Sequence, residues 1–139
     1  MTSKENSKKD VWLERKLLVG GYLAFVTSQE EYELALKEIS CPDCEDKFVP
    51  NGWPACTHSF DNVNGSVACI VALDMERAAE EAPIDVAALL VHEAVHVWQA
   101  NETAAGKPGC FGDEGEAYAI QNISTRLMAA YADRLDKKT

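Results

Sequence analysis

Val86-Ala87-Ala88-Leu89-Leu90-Val91-His92-Glu93-Ala94-Val95-His96-Val97-Trp98-Gln99 is the most regular stretch of this sequence. All of these residues are helix-compatible, and apolar side chains lie nearly all round the helix they would form. The pattern predicts a helix buried at the domain centre, introduced by Pro83 with Asp85 as its N-cap. Downstream, residues 101–112 hold three glycines and a proline and read as a loop. A last helix is expected from about Asp113 to Leu135, with Ile120, Ile123 and Leu127 as its buried stripe. Upstream, two strand candidates, Ala55 to Phe60 and Ser66 to Leu73, flank Asp61-Asn62-Val63-Asn64-Gly65. The Asn-Gly pair is a strong turn signal, so a β-hairpin is predicted there. Residues 41–54 read as an irregular loop. Tyr22 to Thr27 reads as a strand, and Ser28 caps a helix from Gln29 to about Ile39. Residues 1–10 read as a flexible tail and 11–139 as one domain.

Composition narrows the classes. With 139 residues, 47% hydrophobic and 26% charged, the chain can bury one core. Its 23 acidic against 13 basic side chains give a formal net charge of −10, which repels phosphate backbones and anionic membrane surfaces. No apolar run approaches the ~20 residues of a membrane helix. Leu17 to Val26 is apolar behind Arg15 and Lys16, but Glu5, Asp10 and Glu14 interrupt what precedes it and no small-x-small site follows. That segment reads as a buried strand or helix rather than a signal peptide. Five cysteines, an odd number, argue against a complete disulfide framework, so cytoplasm is the expected compartment.

The central helix also carries the chemistry. Residues four apart share a helix face about one turn apart, so His92 and His96 can bind one metal ion. Glu93 projects beside them, where it can take a proton from a zinc-activated water. The chain has three histidines and two fall here. Desolvating two histidines and a glutamate costs several kcal/mol unless partners compensate, which weighs against an ornamental role. A catalytic zinc usually takes three protein ligands plus water. Glu116 stands in register with Ile120, Ile123 and Leu127 and is the preferred third ligand; Glu114, which shares its face with Tyr118 and Gln121, is the runner-up. Either glutamate could instead serve only to complement the helix dipole.

Leu89-Leu90-Val91-His92-Glu93-Ala94-Val95-His96-Val97-Trp98-Gln99 followed by a Glu-x-x-Ala helix, Glu116 to Ala119, resembles the gluzincin branch of the zincin metallopeptidases. More narrowly, with Gly115 to Gln121, it is similar to small metallopeptidases encoded by bacteriophages and prophages. The resemblance covers roughly residues 55–135. It implies an α/β (α+β) zincin-like domain: a short twisted sheet, a buried active-site helix beneath it, and a following glutamate-bearing helix. It further implies Zn²⁺ as cofactor, a peptide or protein substrate laid along an edge strand, and a Tyr or His opposite the glutamate. The hairpin at 55–73 is the candidate edge. Tyr118 and His58 are the residues available for that place, with Tyr118 put forward as the catalytic partner, and neither is selected by a spacing rule.

Two further expectations stand beside this. Cys41, Cys44, Cys56 and Cys110 could form a second metal site or a disulfide if their loops converge, although Cys41-Pro42-Asp43-Cys44 is only half of the usual zinc pattern. The rival to the enzyme is a noncatalytic, zinc-stapled binding or phage accessory protein. A purely structural zinc site closes with four protein ligands and has no use for Glu93.

Overall fold

Two stretches are buried on both faces, and they form the middle of the sheet. In the computed structural model, which describes residues 11–14, 21–41, 44, 46–106, 109 and 112–138, these are Tyr22–Val26 (β2) and Ser66–Leu73 (β4). They pair in parallel, Tyr22 opposite Ala68 through Val26 opposite Ala72. Trp12–Glu14 (β1) adds antiparallel to β2, and Ala55–Val63 (β3) adds antiparallel to β4, giving the order β1-β2-β4-β3. The expected tail at residues 1–10 lies outside the described residues.

The period-2 alternation of side chains sorts this sheet into two cores. Leu23, Phe25, Val67, Cys69, Val71 and Leu73 face one way. There they meet Pro83–Ala105 (α3) and Gly112–Lys138 (α4), which follow the short helix Met75–Ala78 (α2). Ala24, Val26, Ala68, Ile70 and Ala72 face the other way, onto Tyr32, Ala35 and Leu36 of Gln29–Glu38 (α1). The result is a mixed α+β domain of three layers, one helix behind the sheet and two in front. No helix among the described residues is long and apolar enough to cross a membrane.

The local signals are realised with definite changes. Ser28 caps α1, its hydroxyl accepting from the Glu31 N–H at 3.1 Å. The hairpin turn closes on two residues: Val63 pairs with Ser66, and Asn64 and Gly65 both have positive φ, 53° and 82°. That is the geometry a two-residue turn of the primed type requires, and β3 therefore runs three residues further than the sequence suggested. Asp85 is not the N-cap of α3. Ala82 takes that position without a side-chain bond, Pro83 occupies the first turn with its φ already suited to it, and Asp85 sits inside the positive end of the helix.

At its other end α3 continues through residues 101–105, which composition had assigned to a loop. Every glycine and the proline of that stretch fall at 106 or beyond, and Gly106 ends the helix at φ 82°. Asn101 stays helical because its Nδ2 donates back to the Val97 carbonyl at 2.8 Å. Its buried Oδ1 faces Gly21, where a Cβ would run into that atom and into the Val67 carbonyl. We expect Gly21→Ala to cost about 1–3 kcal/mol, read as a lower urea midpoint with an unchanged m-value. An unchanged midpoint would mean that Asn101 swings away freely.

A second correction concerns α3 itself. The helix is not buried all round: Ile84 is 77% exposed and Val91 37%, while Val86, Leu90, Ala94, Val97 and Trp98 are buried. One sheet and one neighbouring helix cover only part of its circumference, and the remaining arc is open.

Candidate metal and catalytic site

The open arc of α3 carries His92 and His96. Their rings meet edge to face with centroids 4.8 Å apart, and their Nε2 atoms lie 3.2 Å from each other. Two nitrogens at that separation, each at the ~2.0–2.1 Å usual for zinc, subtend roughly 100° at the ion, close to a tetrahedral angle. On the far side of the His96 ring, Nδ1 is 3.1 Å from Gln99 Oε1. An amide oxygen only accepts, so Nδ1 carries the hydrogen and Nε2 keeps its lone pair for a ligand. The residues present therefore fit two positions of a zinc site.

Glu93 lies one residue on, and its environment differs sharply from that of the histidines. It is 4% exposed, turned inward to β3, and the Thr57 hydroxyl donates to its Oε1 at 2.6 Å. This distance belongs to the short class of hydroxyl–carboxylate bonds. His92, His96, Glu93 and Thr57 line a cleft of about 640 Å³ between α3 and β3, whose walls also include Leu89 and Trp53, the latter 60% exposed. β3 is an edge strand of the sheet, with β4 on its one paired side. Its other edge pairs with no strand among the described residues.

Neither acidic candidate on α4 joins the histidines. Among the described residues, no three His, Cys, Asp or Glu side chains gather where they could hold an ion. Glu116 is half-buried and accepts from Trp98 Nε1 at 2.9 Å, and Glu114 is exposed. The facing argument selected the side of α4 that packs inward, and Ala119, Ile123 and Leu127 are indeed buried there. What that side meets, however, is the packed face of α3. Trp98 is two residues past His96, about 200° around the helix. Tyr118 is 64% exposed and is not among the residues that wall the cleft.

His58 belongs to the opposite face of the sheet. Its Nε2 lies 2.8 Å from the Phe48 carbonyl, so that nitrogen donates, and its Nδ1 accepts from the Tyr32 hydroxyl at 3.2 Å. The two rings stack with centroids 4.6 Å apart. Burial, followed by a bond to Cys44 and nearby negative charge, pushes the Tyr32 phenol far above its ordinary range.

Cys41, Cys44, Cys56 and Cys69 are free thiols, and Cys110 lies outside the described residues. Cys44 sits 3.8 Å from the Tyr32 hydroxyl and 3.6 Å from Asp46 Oδ2, on the side of the sheet away from the histidines. The Cys56 thiol is pushed up by burial and then by the charges of Glu93 and Asp46, which disfavours the thiolate a metal would need. Cys69, in the apolar centre of β4, is pushed up to about 12 by burial and then by Asp61, as suits a thiol packed as a small hydrophobe.

Sequence reasoning missed Thr57, Gln99, Trp53 and Trp98. Gln99 was within reach, since residues three apart on a helix are neighbours. Thr57 is 36 residues from Glu93, and only the register of β3 brings it there. No family model, curated protein or solved structure matches this chain.

Proposed function

We propose that this chain is a zinc-dependent metallohydrolase of the zincin type, most similar in its motif to gluzincins, cleaving peptide or related amide bonds. The observation that carries the reading is the spacing of the His92 and His96 Nε2 atoms, 3.2 Å, beside a buried glutamate in a cleft bounded by an edge strand. His92 and His96 hold the ion. Glu116, with Glu114 as the alternative, is assigned the third position; because Glu116 is bonded to Trp98, about 200° around α3 from His96, its ligation requires α4 to move as well as that bond to break. When bound, zinc supplies a Lewis acid that polarises a carbonyl and acidifies water.

The remaining work falls to the chain's own residues. Glu93 Oε2, the oxygen that Thr57 does not hold, takes the proton of the attacking water and returns it to the leaving amine. An extended peptide adds along β3 by backbone pairing, with an apolar side chain against Trp53 and Leu89. A role for Tyr118 opposite Glu93 requires the substrate to reach from the cleft to α4, where Tyr118 is exposed. The net charge of −10 supports a protein or peptide partner over nucleic acid or anionic lipid. The free thiols support a reducing compartment, the cytoplasm, or the host cytoplasm for a phage-encoded protein.

The test combines metal analysis with a peptide-library cleavage assay. We expect about one zinc per chain, cleavage abolished by a chelator, and activity restored by added zinc. A stoichiometry near zero after incubation with zinc would remove the reading. Bound zinc without cleavage of any peptide would favour the stapled, noncatalytic alternative.

A further inference from the structure

We propose that Thr57 is a positioning residue that fixes which oxygen of Glu93 is free for proton transfer. The inference rests on the hydrolase reading given above. β3 places Ala55, Thr57 and Ser59 on the side of α3, and Thr57 is held there by its pairing with Val71, which is fully buried in β4. From that fixed backbone the hydroxyl reaches Glu93 Oε1 at 2.6 Å, while the Glu93 carbonyl, at 3.5 Å, is a marginal second acceptor. A carboxylate has no hydrogen to give, so Thr57 donates.

A glutamate has three torsions, the last of them broad, so an untethered carboxylate samples many orientations. Tying Oε1 to the sheet removes that freedom and leaves Oε2 as the oxygen that the threonine does not hold. Proton transfer needs its acceptor within hydrogen-bond reach of the water, and a misplacement of about 1 Å costs up to 100-fold in rate. The bond involves neither histidine: both are exposed, and their Nε2 atoms face each other. The expected signature is therefore a fall in turnover with binding intact.

Thr57→Val removes the hydroxyl and keeps the shape, and Thr57→Ser keeps the hydroxyl. For Thr57→Val we expect kcat about 10- to 100-fold lower, with KM and zinc content within about twofold of the parent. Thr57→Ser should recover most of the loss, which a purely packing role of the methyl group would not allow. In the zinc-free protein, the Thr57 hydroxyl proton should give a slowly exchanging NMR resonance, present in the parent and absent in Thr57→Val. If Thr57→Val loses its cooperative thermal transition, Thr57→Ala carries the same expectations. An unchanged kcat in a folded Thr57 variant, beside an inactive Glu93→Gln, overturns the positioning role alone. A fully active Glu93→Gln overturns the hydrolase reading beneath it.

Discussion

Glu93→Gln should abolish peptide cleavage while leaving the protein folded and loaded with zinc. Glutamine has the same shape, and its amide oxygen can still accept the Thr57 hydroxyl, so the 2.6 Å link between α3 and β3 has a replacement. The histidines are untouched, including the Gln99 bond that orients His96. What disappears is the capacity to take up a proton. General-base catalysis contributes typically 10²–10⁴-fold, so we expect a loss of about 10³-fold in kcat, equivalent to about 4 kcal/mol of transition-state stabilisation. Zinc stoichiometry and thermal midpoint should stay within error of the parent. A variant with wild-type turnover would show that Glu93 is there for structure.

The largest expected effect on stability lies far from the cleft, at Arg134. This residue, near the end of α4, donates from Nη1 to Thr27 Oγ1 at 2.7 Å and to Glu31 Oε1 at 2.9 Å. Its guanidinium also stands 5.6 Å from the centre of the Phe25 ring. The side chains are only 11% and 14% exposed, so this pair does not belong with the weak surface bridges such as Lys137–Asp133. Arg134→Ala removes one partner and leaves the other carboxylate mostly desolvated. Losses of that kind run to 3–5 kcal/mol, but Glu31 keeps the Thr27 N–H at 2.9 Å, which offsets part of the cost. We expect about 2–3 kcal/mol, or a thermal midpoint lower by roughly 10 °C for a chain of this size. Replacing both partners, Arg134→Met with Glu31→Gln, should recover much of it, because no lone charge is then buried. A single-mutant cost below about 0.5 kcal/mol would put the pair in the surface class.

The two predictions separate what local pattern can and cannot reveal. The HExxH spacing is a property of one helix, and so the pairing of His92 with His96 followed directly from 3.6 residues per turn. The Asn64-Gly65 turn and the Ser28 cap are local in the same sense. Sequence pattern and structure part where a neighbouring element decides. The outer arc of α3 is apolar enough at Ile84 and Val91 to read as buried, yet both side chains are exposed. Glu116 sits on an inward-facing register, but register along α4 says nothing about which face of α3 it meets. Thr57 carries no local signal, because its role comes from β3 lying against α3, with Glu93 36 positions further along the chain. Composition misplaced the end of α3 for a simpler reason: an average over 101–112 spread its glycines over residues that hold none of them.

The alternation of β3 has a bearing on how this strand can change over generations. Thr57 and Ser59 serve the cleft, whereas His58, between them, belongs to the rear layer, where it is locked to Tyr32 and Phe48. A deletion of one codon between Ser59 and the Asn64-Gly65 turn, which sets the register of the strand, would turn these side chains over at once, moving the His58 imidazole to the cleft face and the Thr57 hydroxyl to the side of α1. Point substitutions are thus the only gentle route for this strand, and its length is under tighter constraint than any single side chain on it.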